Sequence, residues 1–100
     1  MAFFWEFEWD PAKARSNLKK HSVFFERAIQ VFQDPLALTI PDEGQDDAEA
    51  RWITLGKDWG GRFVLVFHTV DESSDESGRI RVISARTPTR VEVSAYEETE

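Results

Sequence analysis

The sequence predicts an α+β fold in which an antiparallel sheet packs against helices. Two observations support this class. The predicted elements run β-α-α-β-β-β-β-α, so four strands follow one another without an intervening helix. Apolar residues make up 41% of the 100 residues, and eight Phe and four Trp provide the volume of one core. We therefore expect a single domain over residues 1–100, with the strands in an antiparallel meander and the helices on one face.

The first strand and first helix are predicted from an aromatic run and a cap. Residues 3–8 are aromatic and partly alternate with Glu, which is typical of a strand. Asp10 suits the N-cap of a helix and Pro11 its first turn, so a helix is predicted from there to about His21. Helical spacing places one polar set on a common face of this helix: Lys13, Asn17, Lys20 and His21.

A second helix is predicted directly after the first. Ser22 has the chemistry of an N-cap, and apolar residues then recur at helical spacing over residues 23–33. Asp34 and Pro35 end the pattern, because proline disfavours the helical conformation of the residue before it. The two helices should therefore form an αα-hairpin with a very short link.

Four strands and a last helix complete the chain. The strands are predicted at residues 36–40, 51–57, 62–70 and 79–86. Between them we expect an acidic loop at 41–48, a hairpin turn at 58–61 and a charged loop at 71–78. Strict alternation puts one set of last-strand residues on one face: Ile80, Val82, Ser84 and Arg86. It puts the other set on the opposite face: Arg79, Arg81, Ile83 and Ala85. Thr87 and Pro88 should begin the final helix, which runs to about Tyr96.

Composition limits the class of protein. There is no Cys, which excludes disulfides and thiolate metal sites and favours a cytoplasmic protein. No apolar run approaches the roughly 18 residues of a membrane span, and the first residues lack the basic segment of a signal peptide. The formal net charge is −7, whereas nucleic-acid binders usually carry a basic surface. Basic residues nevertheless cluster in segments 13–20 and 79–90, so a local basic face is compatible with the acidic total.

Three ordered groups of residues resemble the BrnT family of toxins from type II toxin–antitoxin systems, which belong to the RelE-like ribonucleases. The first group is Phe7-Glu8-Trp9-Asp10-Pro11, Lys13-Ala14, Asn17, Lys20-His21, Val23, Phe25-Glu26, Ala28, Phe32 and Asp34-Pro35. The second is Glu49, Arg51-Trp52, Gly56 and Val64-Leu65-Val66. The third is Ile80-Arg81-Val82-Ile83-Ser84-Ala85-Arg86, Thr89-Arg90, Glu92 and Tyr96. The resemblance spans residues 7–96.

The resemblance implies a RelE-like fold and ribonuclease activity on RNA. It also implies a partner, a DNA-binding antitoxin that inhibits the toxin. A toxin of this class usually acts alone, so we expect a monomer when the antitoxin is absent. No cofactor is expected.

A ribonuclease that works without a metal needs side chains for three tasks. One group takes the proton of the ribose 2′-OH, another stabilises the charge on phosphorus, and a third protonates the leaving oxygen. The candidates for charge stabilisation are Arg51, Arg81 and Arg86, since Arg binds phosphate with two hydrogen bonds. The candidates for proton transfer are Lys20, His21 and Glu49, with His68 as a weaker one. The candidates for RNA binding are Arg79, Arg90 and Trp59, since exposed aromatic rings stack on bases.

Each candidate also has a structural interpretation. His21 ends a helix, where a cationic ring interacts with the helix dipole. His68 alternates with apolar residues on a central strand, which favours a buried histidine with satisfied hydrogen bonds. Arg51 and Glu49 together suit an ordinary surface ion pair. Asn17 and Ser84 suit caps and buried hydrogen bonds, and Glu92 suits an ion pair that orients a nearby arginine.

Two sequence features support alternatives to a ribonuclease. Thr87 and Val91 stand where typical BrnT toxins carry basic residues, and the loop after the fourth strand is acidic. A catalytically weakened relative that mainly binds its antitoxin is therefore the second hypothesis, and a small α/β binding module without a nucleic-acid partner is the third. A metal site is not expected, because the two His are too few and the carboxylate run at 42–47 lacks the pattern of a calcium loop.

Overall fold

The computed structural model describes residues 4–43, 50–72, 74 and 76–98. In these ranges the elements follow the predicted order. The strands are β1 (Phe4–Glu8), β2 (Leu38–Pro41), β3 (Trp52–Lys57), β4 (Phe63–Asp71) and β5 (Ser77–Arg86). The helices are α1 (Pro11–His21), α2 (Phe25–Ala28) and α3 (Arg90–Glu97), and a 3-10 helix (Ile29–Gln33) continues α2. The predicted α+β class is confirmed. No helix in the described ranges is long and apolar enough to cross a bilayer.

Helix α1 begins as predicted and ends in a different way. The Asp10 carboxylate accepts a hydrogen bond from the Ala12 amide at 2.8 Å, and Pro11 occupies the first turn. Ser22 closes the helix, with φ of 58° and its amide bonded to the Leu18 carbonyl. The prediction that Ser22 is the N-cap of the second helix is therefore wrong. Its left-handed backbone ends α1 and turns the chain toward the core.

The predicted helix over 23–33 is a short α-helix followed by a 3-10 helix. Only Phe25–Ala28 is α-helical, and the tighter 3-10 turn follows. Three residues at a spacing of three are fully covered: Phe25, Ala28 and Val31. Phe25 and Ala28 lie in the α-helical turn, and the three-residue repeat of the 3-10 helix keeps Val31 in line with Ala28. The sequence pattern could not separate this repeat from the 3.6-residue repeat of an α-helix.

The five strands form one sheet in the order β1-β5-β4-β3-β2. The pairs β2–β3, β3–β4 and β4–β5 are antiparallel, as predicted for a meander. The first strand is not part of this meander: β1 lies at the edge of the sheet and pairs in parallel with β5. The αα-hairpin between β1 and β2 carries the chain across the sheet and makes this parallel pairing possible.

Helices cover both faces of the sheet. One core joins the segment from Val23 to Val31 with one face of β4 and β5, including Val66 and Val82. A smaller core lies on the opposite face, where Tyr96 of α3 packs on Leu55 and Leu65. The expectation that all helices share a face is therefore wrong for α3. Leu65 alternates with Val64 and Val66, so the two cores lie on opposite sides of the same strand.

A β-bulge in β5 changes which side chains share a face. Phe67 of β4 pairs with Ser84, whereas the next residue, His68, pairs with Val82, so Ile83 is an extra residue. Beyond the bulge, Ser84 and Arg86 lie opposite Phe67 and Leu65. Before it, Arg81 and Arg79 lie opposite Thr69 and Asp71, which belong to the same face of β4. The predicted faces of β5 are therefore wrong, since Arg79, Arg81, Ser84 and Arg86 share one face.

Candidate active site

Asn17 joins α1 to the part of β5 that β1 does not reach. The pairing of β1 with β5 ends at Glu8 and Arg81. Further along β5, the Asn17 carboxamide takes the place of a strand: its Nδ2 donates to the Ala85 carbonyl at 2.9 Å, and its Oδ1 accepts from the Ala85 amide at 3.0 Å. The same group donates to the Val23 carbonyl and accepts from the Ser84 hydroxyl. Asn17 is 5% exposed, so it is the buried hydrogen-bond partner that the sequence predicted.

A cleft of about 260 Å³ opens beside this contact. It is lined by Lys13, Ser16, Asn17, Lys20, His21, Ile83 and Ser84. The polar face that helical spacing predicted for α1 is therefore confirmed as one wall of a cleft. Two of the proton-transfer candidates, Lys20 and His21, lie here with exposed side chains. Both are in the last turn of α1, where the helix dipole favours cations.

The opposite wall leads to a surface that we call the arginine face, made of Arg51, Arg79, Arg81 and Arg86. The bulge brings the last three to the same side of β5. Arg51 precedes β3, where its carbonyl accepts from the Asp42 amide at 2.9 Å and continues the ladder between β2 and β3. Strand alternation then puts Arg51 on the side of Ile53, which is also the side of Phe67. Ser84 belongs to both features, since it lines the cleft and lies between Arg81 and Arg86.

Carboxylates oppose three of these arginines. Glu6 lies 3.6 Å from Arg79 and Glu8 lies 3.6 Å from Arg81, because the parallel register aligns each pair. All four side chains are at least 44% exposed, so these pairs are weak, worth less than about 1 kcal/mol each. The carboxylates orient the guanidinium groups, and an anionic ligand can displace the carboxylates.

Arg86 makes the strongest ion pair of the site. Its two terminal nitrogens donate to the two carboxylate oxygens of Glu92, each at 2.9 Å. This hydrogen bonding lowers the pKa of Glu92 to about 2, and it raises the pKa of Arg86 further above its usual value. The Arg86 guanidinium also lies 5.7 Å from the centre of the Phe67 ring. The predicted pairing of Glu92 with an arginine is confirmed.

The other candidates lie elsewhere. Arg90 is exposed in the first turn of α3, which begins at Arg90 with Thr89 as its N-cap, and not at Thr87 as predicted. Trp59 is 74% exposed in the turn after β3. Its indole donates to Gln33, so it lies beside the 3-10 helix, apart from the cleft and the arginine face. Glu49 lies outside the described residues.

His68 has the structural role that the sequence favoured. It is 1% exposed, and its Nε2 lies 2.7 Å from the Thr54 hydroxyl. Burial lowers its pKa to about 4, so the ring is neutral at physiological pH. It faces the side of the sheet that α1 and α2 cover, away from the arginines.

Glu6 and Glu8 are the residues of the site that the sequence did not predict. Their alternation with Phe7 gave a signal, since it placed both on one face of a strand. The partner strand and its register were not available from the sequence, and these determine which arginine each carboxylate meets. Among the described residues, no three His, Cys, Asp or Glu side chains form a group that could hold a metal ion.

The fold and the site define a small α+β protein with a cleft rich in cations at one edge of a five-stranded sheet. The family model described as "Ribonuclease toxin, BrnT, of type II toxin-antitoxin system" matches residues 9–92. The chain therefore belongs to the BrnT family of ribonuclease toxins, and this membership implies an antitoxin partner.

Comparison with solved structures supports the fold. The crystal structure of the Brucella abortus ribonuclease toxin BrnT matches with a TM-score of 0.53 and 20% sequence identity. The match covers 89% of this chain and 100% of the Brucella chain. At this identity the likeness establishes the fold alone. Among curated protein sequences, none matches this chain.

Proposed function

We propose that this protein is an endoribonuclease that cleaves RNA by attack of the ribose 2′-OH, without a metal ion. The observation that carries the proposal is the bulge at Ile83. It aligns Arg81 and Arg86 on one face, directly beside the cleft that holds Lys20 and His21. Arginines that can bind the phosphate therefore lie next to side chains that can transfer protons. Phosphodiester cleavage needs both kinds of group in one site.

The proposed roles follow from chemistry and position. Arg81 and Arg86 bind the scissile phosphate and stabilise the charge that develops on its oxygens, and Arg51 contacts a neighbouring phosphate. His21 takes the proton of the 2′-OH, since imidazole is the most common general base, and Lys20 protonates the leaving oxygen. Glu49 stays a candidate for proton transfer. Arg79, Arg90 and Trp59 are the proposed contacts with flanking RNA.

The family also suggests how the activity is controlled. We propose that a DNA-binding antitoxin covers the arginine face and keeps the enzyme inactive in the cytoplasm. The free protein is proposed to be a monomer that forms one domain over the whole chain. An antitoxin carboxylate would replace Glu6 or Glu8 at an arginine with little loss of energy, because the existing pairs are exposed.

A weakened toxin that mainly binds its antitoxin is the second candidate. The observation that favours it is the set of carboxylates on the arginine face. Glu92 holds Arg86 through two hydrogen bonds, and Glu6 and Glu8 face Arg79 and Arg81. RNA must displace these groups, and the acidic chain repels the phosphate backbone.

Two adjacent lysines provide a matched test. Lys19 and Lys20 are both exposed near the end of α1, but only Lys20 lines the cleft. Purified wild-type protein should cleave a long RNA in the presence of a metal chelator and leave a 2′,3′-cyclic phosphate. Lys20→Ala should slow the cleavage at least about 100-fold, whereas Lys19→Ala should not. Cleavage that stops with the chelator, or that falls equally in both variants, contradicts the proposed mechanism. Absence of wild-type cleavage favours the second candidate.

A further inference from the structure

A cavity of about 580 Å³ lies on the other face of the sheet from the arginines. Its lining residues include Trp5, Phe32, Thr39, Trp52, His68 and Glu72. The cavity therefore has aromatic walls, a polar end and one carboxylate. Its volume lies in the range of sites that hold a ligand or a large side chain. Nothing in the proposed ribonuclease mechanism uses it.

The aromatic walls are fixed by the backbone beneath them. Gly78 pairs with Trp5 between β5 and β1, and a Cβ at residue 78 would lie only 2.5 Å from the indole ring. Glycine at this position therefore lets the Trp5 ring lie against β5. Phe32 packs edge-on against His68 with ring centres 4.9 Å apart. The cavity is thus formed by ordered elements of the fold.

The polar end of the cavity presents hydrogen-bond acceptors. His68 Nδ1 faces the Thr69 carbonyl at 3.4 Å, and a carbonyl can only accept, so the proton of the neutral ring lies on Nδ1. Nε2 then accepts from the Thr54 hydroxyl at 2.7 Å, and Thr54 accepts from Thr39 at 2.8 Å. The Thr39 proton is used in this chain. Thr39 is an exposed residue, and its hydroxyl oxygen still has lone pairs for an occupant, while Glu72 offers a carboxylate.

The surroundings of the cavity are acidic. Four exposed carboxylate residues lie at the strand ends around this end of the sheet: Glu43, Asp71, Glu72 and Glu76. Among the described residues that line the cavity there is no Lys or Arg, and the buried His68 is neutral at physiological pH. Arg51 and Arg79 lie at the same end of the sheet but on its opposite face. The potential at the opening is therefore negative, which attracts cations and repels phosphate.

We propose that this cavity is a second binding site, which takes the guanidinium of an arginine side chain from a partner protein. Trp5 and Trp52 both line the cavity, and indole faces attract planar cations. The guanidinium nitrogens can donate to the acceptors at Thr39 and Glu72. Lysine would provide a point charge without a planar surface. An RNA base would bring phosphates to an acidic opening. Because the site and the arginine face lie on opposite sides of the sheet, partner and RNA can bind together.

The four tryptophans give a direct test by fluorine NMR of full-length protein labelled with fluorotryptophan. The probe is a capped Gly-Arg-Gly peptide, and the control is the same peptide with neutral citrulline in place of arginine. The arginine peptide should shift the resonances of Trp5 and Trp52. It should leave Trp9, which packs on Phe25, and the exposed Trp59 unchanged. The citrulline peptide should bind about tenfold more weakly, since it lacks the charge.

A pair of carboxylate variants locates the contact. Glu72→Gln removes the charge of a residue that lines the cavity, whereas Glu76→Gln removes the charge of an exposed residue that does not line it. We expect the first to weaken binding of the arginine peptide about fivefold and the second to have little effect. Equal binding of both peptides, equal effects of both variants, or no shift at Trp5 and Trp52 would overturn the proposal. Tighter binding of adenosine monophosphate than of the arginine peptide would also overturn it, in favour of a nucleobase site.

Discussion

Asn17 shows how one side chain can extend a sheet. Its amide group makes the two hydrogen bonds to Ala85 that a neighbouring strand would make, at the point where β1 has ended. The residue also accepts from Ser84, so the contact fixes the position of the cleft relative to β5. The sequence identified Asn17, on the polar face of the predicted first helix, as a residue suited to buried hydrogen bonds. It did not identify Ala85, which is distant along the chain.

Replacing Asn17 should therefore cost stability. Asn17→Ala leaves the buried amide and carbonyl of Ala85 without partners, and we expect the free energy of unfolding to fall by about 2–4 kcal/mol. Urea denaturation followed by tryptophan fluorescence measures this change. Ser16→Ala is the matched control, because Ser16 is the adjacent exposed residue of the same helix. A loss below about 1 kcal/mol for Asn17→Ala, or an equal loss in the control, would contradict this role.

At the scale of elements, the bulge in β5 decides the geometry of the site. The order of strands and helices could be predicted, because hydrophobic periodicity and caps are local signals. A bulge is set by the pairing of two strands, and nothing local distinguishes Ile83 from any other residue of a strand. Strict alternation therefore placed Arg86 on the side away from Arg79 and Arg81. The structure brings all three together, and this is the part of the site that the sequence could not provide.

Helix α3 is attached to the sheet through Glu92. Its carboxylate accepts from the Thr89 amide at 2.7 Å in a capping box and also binds Arg86. The pKa of Glu92 is about 2, below the ordinary value of 4.5. Because folding lowers the pKa of this carboxyl, its ionised form stabilises the folded state at every pH above 4.5, the pKa in the unfolded chain. This contribution is lost as the pH falls from 4.5 through about 2.

Glu92→Gln tests this attachment. We expect the free energy of unfolding at neutral pH to fall by about 1–2 kcal/mol, after allowance for the partial exposure of the pair. The difference from wild type should shrink as the pH falls below 4.5, where the wild-type carboxyl gains its proton. Denaturant unfolding at several pH values measures both effects. Glu97→Gln, at the exposed end of the same helix, should show neither. A difference that is independent of pH would contradict this explanation.

The whole molecule combines a net charge of −7 with a face of arginines. Composition gave the total charge but not its distribution over the surface, which depends on the pairing of β1 with β5. Two of the nearest carboxylates, Glu6 and Glu8, come from the opposite end of the chain to the arginines that they face. Affinity for RNA therefore depends on a local balance of charge on this face.

Two double variants with the same net charge show whether affinity for RNA depends on the local charge of the arginine face or on the total charge. Glu6→Gln with Glu8→Gln frees Arg79 and Arg81, and we expect affinity for a short RNA at low salt to rise about fivefold or more. Glu97→Gln with Glu98→Gln removes the same charge at the end of α3, and affinity should change less than about twofold. Fluorescence anisotropy of a labelled RNA measures both. Equal increases would indicate that only the total charge matters.

The rate of RNA cleavage by Arg86→Ala shows whether the arginine face takes part in catalysis. Arg86 is the cation that the bulge brings to the arginine face, and loss of one such donor usually costs about 100-fold or more in rate. Arg62→Ala is the matched control, since Arg62 is an exposed arginine in the turn between β3 and β4. An unfolding curve for each variant establishes that it is folded at the assay temperature. We expect cleavage by wild type and Arg62→Ala and a rate at least about 100-fold lower for folded Arg86→Ala. Equal cleavage by the two variants, or no cleavage by the wild-type protein, would contradict it.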